Sequence, residues 1–108
     1  MEQGDYAELV MKKVLCKDMT FDQKKYLCKI FRYEPLEECI YLILENDSLT
    51  DISLDAIYEC SIYDKTSVGN KTVSSGYIKE RFSNKFGKIL KFQIKNGFYK
   101  ISVKSVDK

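Results

Sequence analysis

The chain predicts a mainly β fold, an antiparallel barrel of six to seven strands preceded by an N-terminal α-helix. Three observations predict it. Short runs rich in Ile, Val, Tyr, Phe and Thr recur between residues 26 and 103. Turn chemistry separates them at intervals of roughly 8–12 residues, as in small barrels and sandwiches, at Glu34-Pro35, Asn46-Asp47-Ser48, Gly69-Asn70, Ser83-Asn84-Lys85 and Asn96-Gly97. One Pro and five Gly in 108 residues leave little material for long linkers. The expected organisation is a helical segment over 1–24, a barrel-like domain over 25–104 and a tail over 105–108.

The helix is expected from a capping-box spacing, Asp5 followed by Glu8, with Tyr6, Leu9, Val10 and Val14 on one face at helical period. Lys12, Lys13 and Lys17 then fall toward the C-terminal end, where the helix dipole favours cations, and Asp18 begins the exit. Such a helix would cover an open barrel end or dock on a partner. Thr20 and Gln23 repeat the capping spacing and suggest a second short helix. The run from Tyr26 to Tyr33 has β-formers on both parities and reads as a strand that stops before Pro35. Cys39 to Glu45 is a strand, Leu49 to Ser53 a short return strand, and Ala56 to Tyr63 another strand. Asp64 to Asn70 reads as a loop. Thr72 to Phe82 is a long strand bent near Gly76. Residues 89–95 and 98–103 alternate cleanly and are expected to form a hairpin about Asn96-Gly97, since both residues tolerate the positive φ of a type I′ turn.

The 44% hydrophobic fraction fits one ordered domain. The net charge of +2 hides a division by position: residues 1–64 carry 7 Lys/Arg against 14 Asp/Glu, and residues 65–108 carry 11 against 2. Such asymmetry hints at a binding partner, and it also allows the halves to neutralise each other. The N-terminus is acidic, without the basic and apolar regions of a secretory signal. No apolar run approaches the ~18 residues that cross a bilayer. The expected setting is the cytoplasm, without membrane insertion. Cys16, Cys28, Cys39 and Cys60 contain no CxxC pair, and the chain has no His, so four reduced thiols, several of them buried, are expected rather than an all-cysteine metal site or a disulfide frame.

Without His, Ser-His-Asp and Cys-His catalysis are excluded. There is no phosphate-binding glycine motif. The carboxylate pairs Glu37/Glu38 and Asp51/Asp55 fall at turns, where solvated side chains are the ordinary explanation. The expectation is a non-enzyme with no cofactor. Between Tyr77 and Lys104, lysines interleave with aromatics. If these strands present one basic face, Tyr77, Lys79, Arg81, Lys91, Lys95, Tyr99 and Lys100 are the candidates for binding single-stranded nucleic acid by charge and stacking. An ordinary amphipathic sheet, aromatics inward and lysines outward, gives the same alternation.

The segment Asp51-Ile52-Ser53-Leu54-Asp55-Ala56 resembles the D-x-S-x-x-G signature of PilZ domains, small six-stranded barrels many of which bind cyclic di-GMP. Asp51 and Ser53 match, and Ala56 stands at the glycine position. The family's R-x-x-x-R clamp is absent, because Arg32 and Arg81 are the only arginines. Lys25 and Lys29 have the clamp's spacing without the planar guanidinium fork. The resemblance implies an atypical PilZ-like module with Lys25, Lys29, Asp51 and Ser53 as its ligand-facing residues. Its expected function is cytoplasmic regulation through a protein partner or weak cyclic dinucleotide binding. Nucleic acid is the alternative partner.

Overall fold

The computed structural model describes residues 3–15, 23–63 and 70–102. Six strands form it: β1 (Tyr6–Val14), β2 (Lys25–Glu34), β3 (Cys39–Leu44), β4 (Ala56–Tyr63), β5 (Asn70–Asn84) and β6 (Gly87–Ser102), with one 3-10 turn at Leu49–Asp51. All pairings are antiparallel, and the sheet closes into a barrel in the order β1-β2-β3-β6-β5-β4. No helix among the described residues is long and apolar enough to cross a membrane.

Alternation builds the core. Ala7, Leu9 and Met11 on β1 are buried, as are Tyr26, Cys28 and Ile30 on β2 and Ile40, Leu42 and Leu44 on β3. Tyr58, Cys60 and Ile62 from β4, Ile78 from β5, and Leu90 and Phe92 from β6 complete the interior. Closure leaves few open edges, which is how a small antiparallel sheet avoids pairing with other chains.

The N-terminal α-helix is not formed; residues 6–14 are β1, part of the barrel wall and continuous with the domain expected to begin at residue 25. The period-2 set Ala7, Leu9, Met11 wins over the helical stripe, because each of its members reaches the core while Tyr6 stays 43% exposed. Glu8 makes no capping box; its carboxylate accepts the Tyr63 hydroxyl at 3.0 Å, across the β1–β4 seam. Gln23 is non-helical, and residues 16–22, which hold Cys16, Lys17, Asp18 and Thr20, lie outside the described residues; of the loop expected over Asp64 to Asn70, residues 64–69 lie outside them too, and Asn70 opens β5 instead.

Two further expectations are corrected. Leu49 to Ser53 is not a return strand but contains the 3-10 turn, which the backbone bonds Asp51 N to Ser48 O (2.9 Å) and Ile52 N to Leu49 O (3.1 Å) close. The Asn96-Gly97 hairpin is also absent: β6 runs through it, and β5 pairs with β6 from Asn70↔Ser102 to Asn84↔Gly87. The reversal falls at Asn84 to Gly87, where Asn84 Oδ1 accepts the Phe86 amide at 2.8 Å and Gly87 takes φ +129°. Asn96 lies at a register shift instead and donates its side-chain amide to Ser75 Oγ at 3.0 Å.

This topology positions one connection above all. Strands β1, β3 and β5 run to the same barrel end. Because β3 and β4 are not neighbours, the chain from 45 to 55 crosses that end to reach β4.

Candidate ligand-facing turn and outer sheet face

The D-x-S segment lies in this crossing. Asp51 ends the 3-10 turn, and its carboxylate accepts the Ser48 amide at 3.1 Å. Ser53 Oγ accepts the Asp55 amide at 2.9 Å, a local side-chain turn. Between them Ile52 is fully buried, so the crossing seals the barrel as a lid. Four side chains from the wall support that lid. The Tyr58 hydroxyl accepts the Ser53 amide at 3.0 Å, and the Tyr26 hydroxyl donates to Asp51 O at 3.3 Å. Arg81 Nη1 donates to Leu49 O at 3.1 Å and also to Ile52 O. Lys88 donates to Asp47 O, and Lys24 pairs with the Asp47 carboxylate.

The four sequence-predicted ligand residues are therefore only partly united. Asp51 and Ser53 share the lid. Lys25 opens β2 and is exposed at the same end, one residue from Tyr26 but on the opposite side of the sheet. Lys29 lies four residues along, about 13 Å up the strand. Its ammonium is 5.4 Å from the Tyr6 ring and 4.0 Å from Glu45. Sequence reasoning missed Tyr26 and Tyr58 as supports, since a buried tyrosine reads only as core. It also set Arg81 among binding residues, whereas its guanidinium caps the lid's carbonyls.

The basic candidates are separated likewise. With β6 a single strand, Lys91 and Lys100 do not lie side by side on paired strands; nine residues, about 30 Å, separate them along one strand. Lys91 stands opposite Tyr41 and Glu80, 3.8 Å from the Glu37 carboxylate. Its pKa is raised, first by its hydrogen bond to Tyr41. Tyr77 stands opposite Gln93 on the same outer face, while Lys79 and Lys95 are exposed. Tyr99 and Lys100 lie on β6, opposite Val73 and Thr72.

That outer face carries a second apolar cluster. Ile43, Ile89 and Phe82 are successive cross-strand neighbours on β3, β6 and β5. Ile89 is 1% exposed although it points away from the barrel interior. Phe31, at a bulge in β2, meets Phe86 from the β5–β6 turn with ring centroids 5.1 Å apart. Phe82 and Phe86 remain 37% and 54% exposed.

Cys28, Cys39 and Cys60 are free and buried. Among the described residues no three His, Cys, Asp or Glu side chains converge as a metal site. Comparison of the chain with models of protein families, with curated proteins and with solved structures returns no match.

Proposed function

We propose that this chain is a non-catalytic, cytoplasmic regulatory module of PilZ-like build that acts through protein contacts rather than through a tightly held nucleotide. The observation that carries this reading is the state of the D-x-S lid. The Asp51 carboxylate and the Ser53 hydroxyl are both bonded to amides of their own turn. Arg81, a cation with the geometry for a nucleotide clamp, is bonded to the lid's carbonyls. Lys29 stands beside Glu45. A ligand would have to displace these bonds, whereas the aromatic outer face is already open. Free thiols suit a reducing compartment.

Calorimetric titration with cyclic di-GMP at physiological salt tests the reading, with a single-stranded oligonucleotide as the parallel ligand. The expected result is no saturable heat from either. Saturable cyclic di-GMP binding that Asp51→Ala removes would make the lid a nucleotide site and overturn the protein-contact reading. Oligonucleotide affinity falling steeply with salt would move the function to the basic strands.

A further inference from the structure

We infer that the aromatic patch on the outer wall is a self-association surface, and that the partner it fits is a second copy of this chain. The inference rests on the protein-contact reading and names its partner. Three properties of the patch lead there. It has the anatomy of an interface centre: Ile89 lies sealed beneath its neighbours, and Phe82 and Phe86 stand above the wall as exposed rings. Phe86 is held in place by the Phe31 ring, so little freedom is lost on docking.

The rim carries both signs. Lys29 stands beside Glu45, Lys91 opposite Glu80, and Lys85 lies 5.3 Å from the Phe86 ring. A rim of one sign would repel its own copy and call for an oppositely charged partner, whether nucleic acid or an acidic protein. A rim of both signs can pair with itself across a two-fold axis, which sets the same patch against itself in opposite orientation.

Docking by strand addition is disfavoured. β5 pairs with β4 from Lys71 only as far as Gly76, so residues 77–84 have one strand neighbour. That stretch carries a bulge between Ile78 and Glu80 and the exposed Lys79, the usual devices that blunt an edge. The contact is therefore face to face through side chains.

Sedimentation velocity on the full chain from about 1 μM to about 1 mM tests this. The wild type is expected to dimerise with rising concentration. Phe86→Asp should weaken the dimer about tenfold or more, as for an aromatic anchor. Leu36→Asp, at a fully exposed leucine on the opposite barrel end, should leave it unchanged. Circular dichroism checks that each variant folds, and Phe86→Ser replaces Phe86→Asp if that chain does not. A wild type monomeric throughout overturns the second copy as occupant, and leaves the broader reading to the nucleotide titration. A dimer insensitive to both Phe86 variants, or broken equally by Leu36→Asp, overturns the assignment of this face.

Discussion

Cys60 is buried opposite Ser74 on β5 and Leu9 on β1. Burial, with a smaller push from Glu59, moves its thiol from the ordinary value near 9 up to about 12. Cys28 is raised further still, mainly by burial and then by Cys60. The sign follows from the neutral form being favoured in the fold. Below pH 9 both states hold the proton and the stabilisation is complete. Above it the unfolded chain ionises while the barrel does not, so stability falls until the folded thiol itself titrates. Each thiol is expected to cost about 1.4 kcal/mol per pH unit in that window. Tyr63, raised by burial and by its bond to Glu8, adds a loss of the same sign. Denaturant unfolding of the wild type and Cys60→Ala at several values between pH 7 and 11 isolates the Cys60 share. The variant should lose less stability on going alkaline, and equal slopes would mean that Cys60 ionises freely within the fold. The burial of these thiols was legible in the sequence, because both sit at period-2 positions among β-formers. The tasks of Arg81, Tyr26 and Tyr58 were not, because a bond from a side chain to a distant carbonyl or amide leaves no pattern along the chain.

The β5–β6 hairpin is the element on which closure depends, and Gly76 is a point of close approach in it. A Cβ at Gly76 would lie 1.9 Å from the carbonyl oxygen of Gln93, a backbone atom that moves only with β6 itself. Gly76→Ala is therefore expected to destabilise the fold by about 3 kcal/mol or more, or to prevent folding. Gly97→Ala meets nothing within 4 Å and should change stability by about 0.5 kcal/mol or less. Thermal and denaturant unfolding of the two variants gives the comparison, and similar losses would place the close approach elsewhere. The strands at 25–34, 39–44 and 56–63 were legible because alternation and β-branching agreed there. The first strand was misread because capping-box residues and a helical stripe happened to coincide with a period-2 core set. The hairpin was misplaced because Asn96-Gly97 is the stronger local turn signal. Thirteen of the fifteen residues of β5 find partners along β6 only if the chain reverses at Asn84 to Gly87. Local turn chemistry lost to the length of the ladder it would have broken.

At the scale of the molecule, the charge division becomes a structural seam. β1 to β4 come from the stretch with 7 Lys/Arg and 14 Asp/Glu, and β5 and β6 from the stretch with 11 and 2. The basic ribbon closes the acidic sheet along the β3–β6 and β4–β5 ladders. Its polar side chains reach across: Lys91 to Glu37 at 3.8 Å, Gln93 to the carbonyls of Glu37 and Glu38 at 2.9 and 3.1 Å, and Arg81 and Lys88 onto the lid. Each exposed pair contributes at most about 1 kcal/mol, but two regions of opposite net charge also attract at longer range. That attraction is screened as the Debye length falls from about 30 Å at 0.01 M salt to about 3 Å at 1 M. The unfolding free energy is therefore expected to fall by about 1–2 kcal/mol over that range. Denaturation in urea, which is uncharged, measures it, at a protein concentration low enough to hold the chain monomeric. Stability flat or rising with salt would mean that packing alone holds the ribbon to the sheet. A fall that Lys91→Gln and Glu37→Gln each reduce would assign part of the attraction to the β3–β6 seam. The near-neutral total charge would then reflect two halves that attract each other during folding.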